Sequence, residues 1–280
     1  MPGSTLRILR PFGIALAGLL LVAMFAVIRF PYERFAPRLE RLIAGALDGA
    51  SVSIREIGPA FGLSGPVLEA RSVVISGAIP REIRLQPLRL RPALSLRVFR
   101  GELALYVDAR AEFGRAVGTV YLGSAPGFDG SIEDLDLGDG FFDDLLPLRI
   151  SGTGDVEIDV ALEPEGADGD LEWELHDGSV FHPAVPITIP FGELRGHVGM
   201  SQGAADLHDV ELEGPALSAR IQGTVANADA GGARALDLTV ALSGVTATMR
   251  PTLGQFRVNT AADGTANLRI AGTTAAPVVR

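Results

Sequence analysis

The ten residues GDVEIDVALE, Gly154 to Glu163, alternate without a fault. Val156, Ile158, Val160 and Leu162 fall on one parity, and Asp155, Glu157, Asp159 and Ala161 on the other. A period of two is the side-chain repeat of an extended strand. An apolar face backed by a charged one is the pattern of an antiparallel sheet wetted on one side. Outward from this segment the same alternation returns almost everywhere beyond Ala50. SVSIREIG places Val52 and Ile54 together. EIRLQPLRLR sets Ile83, Leu85, Leu88 and Leu90 against Arg84, Arg89 and Arg91, with Pro87 shifting the register. LSLRVFRGELALYVDA, ADLHDVELEG, ALDLTVALSG and ANLRIAG continue it. Stretches such as EGADGD, NADAGGA and AADG supply turn residues between the runs. About 16 to 18 strands are expected on this spacing.

An Arg-Ile-x-Gly-Thr pattern occurs three times, at Arg149–Thr153, Arg220–Thr224 and Arg269–Thr273. In a strand the Arg and Ile face opposite ways, the Gly marks a kink, bulge or curl, and the Thr resumes the strand. The spacings of 71 and 49 residues are too uneven for a fixed-period solenoid. They fit a long meander whose equivalent strands bend at equivalent places, so that the sheet becomes a trough. The three Arg are expected to be solvated, with an anion-binding row as the sharper alternative.

The remaining composition bounds the chemistry. Hydrophobic residues are 47% of the 280 and aromatics only 6%, which suits an aliphatic core spread over a wide surface. There is no Cys, so neither disulfides nor thiolate sites are available, and every one of the 24 basic residues is Arg. A net charge of −10 excludes the basic footprint that nucleic-acid binding needs. Charge is also unevenly placed. Arg29 to Arg115 holds 14 Arg against 9 acids, whereas Gly127 to Glu174 holds 16 acids against Arg149 alone. A solvated acidic face is the plain reading, because the D-x-D-x-D-G calcium spacing is absent. A basic half lying toward anionic lipid is the alternative.

Pro11 to Ile28, PFGIALAGLLLVAMFAVI, is 18 uncharged residues, about 27 Å as a helix and enough for a membrane span. It runs longer than a signal-peptide core and ends in Arg29-Phe30-Pro31-Tyr32, with no small-x-small site, so an uncleaved anchor is expected. Arg7 and Arg10 precede it, and Arg29, Arg34, Arg38 and Arg41 follow, so charge alone slightly disfavours an inside N-terminus. Behind it, Phe35, Leu39, Leu42, Ile43, Ala46 and Leu47 trace one helical face, with Gly49 as the stop. An amphipathic helix over 32–49 is expected, either capping the apolar end of the sheet or lying on the lipid interface.

No catalytic, cofactor-binding or metal-ligating residue is assigned. The four His, at 176, 182, 197 and 208, show no H-E-x-x-H or similar spacing. Ser151 and Ser179 sit in no G-x-S-x-G elbow. GTGDVEI has no Lys with which to complete a phosphate loop. FHPAVPITIPFG carries Pro183, Pro186 and Pro190, which suits an edge strand or loop rather than a central strand. Such an edge could accept a partner strand or be blocked by its prolines.

In order, the apolar span, YERFAPRLERLIAGAL, SVSIREIGPAFGLSGPVLEARSVVIS and LRLRPALSLRVFRGELALYVDA resemble the N-terminal half of the type II secretion system protein N (GspN) family. The resemblance extends more loosely to the AsmA-like envelope proteins of Gram-negative bacteria. VPITIPFGELRGHVGMSQGAADLHDVELEGPALSARIQGTVA and the closing RIAGTTAAPVVR are similar to the same pattern. The resemblance implies a cytoplasmic tail over 1–10, a transmembrane helix over 11–28, the amphipathic helix over 32–49, and a periplasmic domain over 50–280. It also implies a mainly β fold with a long, curled antiparallel sheet, an inner-membrane location, and an accessory, non-enzymatic role beside other secretion-system subunits. It transfers no catalytic residue and no cofactor. The AsmA-like branch implies instead a groove that binds or transfers phospholipid acyl chains. At about 4.8 Å per strand, spanning two membranes about 200 Å apart takes about 40 strands, so the chain alone is no bridge and the weight moves toward an assembly subunit.

Overall fold

A computed structural model describes residues 32–34, 36–46, 50–62, 65–77, 82–93, 103–122, 126–138, 149–163, 166–182, 185–228, 234–255, 258–273 and 276–279. The expected tail and span at 1–28 lie outside them. Among the described residues no helix is long and apolar enough to cross a membrane.

The alternating segments form one antiparallel sheet. Its strands are β1 (Ser51–Gly62), β2 (Gly65–Ser76), β3 (Ile83–Leu85), β4 (Leu88–Pro92), β5 (Leu103–Ala111), β6 (Gly114–Leu122), β7 (Gly127–Asp136), β8 (Arg149–Glu163), β9 (Gly166–His182), β10 (Val185–Ser201), β11 (Ala204–Glu213), β12 (Ser218–Ala228), β13 (Arg234–Ser243), β14 (Ala266–Thr273) and β15 (Ala276–Val279). Strand order follows chain order, β1-β2-β4-β5 and onward to β15, and the sheet does not close on itself. β3 and β4 are one strand line in a single register against β2, with Val73 opposite Leu85 and Ala70 opposite Leu88, interrupted at Gln86 and the cis Pro87.

Several strands are longer than the glycine spacing suggests. β8, β9 and β10 run 15, 17 and 17 residues, passing through Gly152, Gly154, Gly178, Gly192 and Gly196 instead of turning there. The chain absorbs these glycines as bulges. Register breaks fall at Ile132/Leu135, Ser151/Thr153 and Leu207/Val210, and Asp134, Asp177 and Asp209 beside them take positive φ of 53°, 50° and 48°. Asp tolerates that region better than most residues with a Cβ.

Two of the three motif glycines lie at bulges, as the repeat predicts, and Gly272 lies in unbroken register. Gly152, Gly223 and Gly272 all have positive φ, at 142°, 141° and 107°. Gly152 lies opposite the Ser151/Thr153 break, and Gly223 borders the Leu207/Val210 break.

The proline-rich stretch corrects an expectation. Val185–Ser201 is an internal strand between β9 and β11, neither loop nor outer edge. Its ladder to β11 begins only at Glu193, however, so Pro190 lies in an overhang paired to β9 alone, and Pro186 falls in the break between Val185 and Thr188. The missing N–H groups are tolerated there because one flank asks for no partner.

Two helices close the ends of the core. α1 (Ala36–Ala46) follows a 3-10 turn at Tyr32–Arg34. Its Ala36 and Leu39 pack on a cluster of Ile54, Ala70, Val73, Ile75, Leu88 and Ala109. Glu40 Oε1 accepts the Ile54 N–H at 2.8 Å, on the outer edge of β1. The helix caps the sheet, the first of its two expected roles; of the expected 32–49, Tyr32–Arg34 is a 3-10 turn and 47–49 lie outside the described residues. At the other end α2 (Arg250–Gln255) brings Leu253, with Met249 just before it, onto a larger cluster that includes Leu175, Phe191, Leu194, Leu212 and Leu242. No polar side chain is buried among the described residues.

Candidate functional surface: an apolar band across the sheet

Strand register places the apolar parities of all these segments on one face. One row crosses the whole sheet. It starts Pro59–Leu68–Leu90–Val107 from β1 to β5. It continues Gly118–Gly130–Ile158 across β6, β7 and β8. It finishes Leu171–Val198–Leu207–Gly223–Leu238–Ile270–Val279 from β9 to β15. No member of this row is polar. Except for the buried Gly118, the members whose burial is described are only half-buried, from Pro59 to Ile270.

On one side, the parallel row Leu175–Leu194–Leu212–Ala219–Leu242–Ala266 belongs to the covered core. On the other side, the face runs out through Val160, Met200, Ala205 and Leu236 toward Leu162, which is 50% exposed. The molecule therefore has a sealed apolar strip and, beside it, an unsealed one.

Three aromatic side chains are laid over glycine instead of standing up from the sheet. A Cβ at Gly118 or Gly130 would meet Phe128 Cζ at 2.8 or 2.9 Å. Trp173 covers Gly196, and Phe191 covers Gly152 and Gly178. Each ring fills the space of an absent side chain, which keeps the apolar surface low and continuous.

The opposite face is charged and cross-linked between strands. Glu211 on β11 is directly opposite both Arg195 on β10 and Arg220 on β12, and accepts hydrogen bonds from both guanidinium groups. That clamp, Arg195 first, holds the Glu211 carboxyl below its ordinary range. Arg115 donates to both oxygens of Asp108, at 2.8 and 3.0 Å, and holds that carboxyl low as well. Arg269 pairs with Asp237 in the same way. The motif arginines Arg220 and Arg269 are thus exposed and matched to acids on the neighbouring strand, and Arg149 lies 6.0 Å from the Phe181 ring centre.

The serines weighed as nucleophiles prove to be each other's partners. Ser151 and Ser179 are cross-strand neighbours with their Oγ atoms 2.9 Å apart, and the Ser179 N–H donates to Ser151 Oγ. His176 sits 3.5 Å from Glu174. His182 closes β9, and His197 and His208 are brought face to face across β10 and β11. The last pairing was invisible in the sequence, because it depends on the register break at Arg195/His197. Among the described residues no group of three His or acidic side chains stands ready as a metal-ligand set. The chain matches no protein-family model, no curated protein and no solved structure.

Proposed function

We propose that the chain is a non-catalytic component of a Gram-negative envelope, anchored in the inner membrane by 11–28. It works by presenting the apolar face of a curled periplasmic sheet to other subunits of a type II secretion system. The observation that carries this reading is the apolar row crossing the sheet from Pro59 to Val279, half-buried at the described positions other than Gly118. A soluble monomer seldom leaves a contiguous apolar patch beyond a few hundred Å² without a use for it. At about 4.8 Å per strand the band extends about 62 Å, well beyond a small-molecule pocket and in scale with a protein interface.

A second reading has its own support. The band is built from aliphatic side chains and glycine, and its rings lie flat, a lining equally suited to phospholipid acyl chains. A photoreactive benzophenone side chain introduced at Leu171 or Leu238 in cells separates the two. Adducts with secretion-system subunits support docking, and phospholipid adducts identified by mass support the acyl-chain reading. Adducts formed only by a probe at Thr239, on the charged face, would overturn both.

A further inference from the structure

His197 and His208 are directly opposite on β10 and β11, with ring centroids 5.6 Å apart and tilted by 38°. Two residues along, on the same face, stands Gly199, flanked by Asp170 on β9 and Asp206 on β11. Gly199 therefore leaves a gap in the charged face, bounded along its strand by His197 and across it by side chains of ligand type. The gap is aimed at from both sides. A Cβ placed at Gly199 would be 3.7 Å from Asp170 Oδ1 and 3.8 Å from His208 Nε2. His197 Nε2 already lies 2.8 Å from Asp170 Oδ1. Two ligand atoms sharing a tetrahedral zinc at about 2.0–2.2 Å are separated by about 3.4 Å, so a small opening of this contact admits the metal.

The surroundings favour a cation. Asp129, Asp159 and Asp170 form one cross-strand row and Glu157 and Glu172 the next, like charges set directly opposite at a cost to the sheet. With His197 these residues line an open groove of about 370 Å³. Opposed carboxylates concentrate negative potential over that groove. Two imidazoles and a carboxylate select zinc, copper or nickel over calcium or magnesium, which prefer all-oxygen shells.

We propose that the charged face carries a divalent transition-metal site, with His197 and His208 as nitrogen ligands and Asp170 as the oxygen ligand. The His197 and Asp170 side chains already meet. His208 completes the set by turning its side chain toward the Gly199 gap, which its exposed position allows. Metal would fasten β9, β10 and β11 together across the Arg195/His197 register break.

The test is calorimetric titration of zinc chloride into the full-length, detergent-solubilised chain, carried without a polyhistidine tag and first stripped with a chelator. One saturable site is expected, weakened at least about tenfold in His197→Ala and in His208→Ala and unchanged in His176→Asn. X-ray absorption of the zinc-loaded native chain needs no variant and should count two imidazole ligands. The absence of a saturable site, affinity indifferent to both histidine variants, or fewer than two imidazoles at the metal would each overturn the proposal.

Discussion

Asp108 and Arg115 show what one well-made contact does on an exposed sheet face. Two of the three Arg115 guanidinium nitrogens reach one carboxylate, and this hydrogen bonding is the main reason the Asp108 carboxyl titrates below the ordinary aspartate range. A carboxyl whose folded pKa is depressed stabilises the fold above its unfolded pKa, and that contribution is lost as pH falls through the folded value. The urea midpoint should therefore drop between pH 5 and pH 3, with Glu211 contributing in the same sense. In Arg115→Gln the drop should be smaller, by on the order of 1 kcal/mol at most, because solvent screens the pair. Equal pH slopes for the two proteins would show that the contact does not couple to folding. At this scale the sequence was partly legible. The repeated Gly of Arg-Ile-x-Gly-Thr marks Gly152 and Gly223 as bulge positions, since alternation on both sides leaves the glycine as the only break in pattern. A Cβ at Gly223 would run into the Asp237 carbonyl, which explains why the position is glycine. Arg115–Asp108 and the double clamp on Glu211 were not legible, because both pairings are set by register.

Among the elements, α1 has the most consequential single bond. Glu40 reaches from the helix to take the Ile54 N–H at 2.8 Å, satisfying a donor that the outermost strand would otherwise turn to solvent. Glu40→Ala should cost about 1.5 to 3 kcal/mol, the range for a hydrogen bond to a charged group. It should also speed amide exchange at Ile54 at least about tenfold while leaving Val240, deep in the opposite cluster, unaffected. Unaltered protection at Ile54 would mean that the helix does not hold the edge. The helix itself could be read from its apolar spacing, since Leu39 falls on the predicted face and packs inward. β10 could not be read so well. Prolines exclude a strand only where both flanks ask for donors, and an overhang past the end of a neighbour is not marked in composition. Strand length was misjudged for a related reason: a glycine in a bulge and a glycine in a turn look alike until the partner strand is known.

For the whole molecule, the single-layer meander exposes much more surface than a compact protein. A fragment over 32–280, freed of the apolar span, should give a radius of gyration above about 20 Å by small-angle X-ray scattering. About 18 Å is expected for a compact chain of that length, so a value near 18 Å would mean that the sheet rolls shut. The architecture as a whole was the most legible level, because period-two alternation needs no partner to be seen. The joining of every apolar parity into one unbroken row was not, because it needs all thirteen registers at once.

The two ends of the meander are unequal, and that limits how copies can meet. The outer margin of β1 is plugged by Glu40 and kinked at Glu56, whose φ is 55°, while β15 ends the sheet at the far side with Val278 48% exposed. Runaway fibre growth by edge pairing needs a donor margin and an acceptor margin on every copy. With the Ile54 donor already taken on the β1 margin, joining through backbone hydrogen bonds is easiest far end to far end. Such a union is a two-fold couple that exhausts itself and cannot extend into a filament.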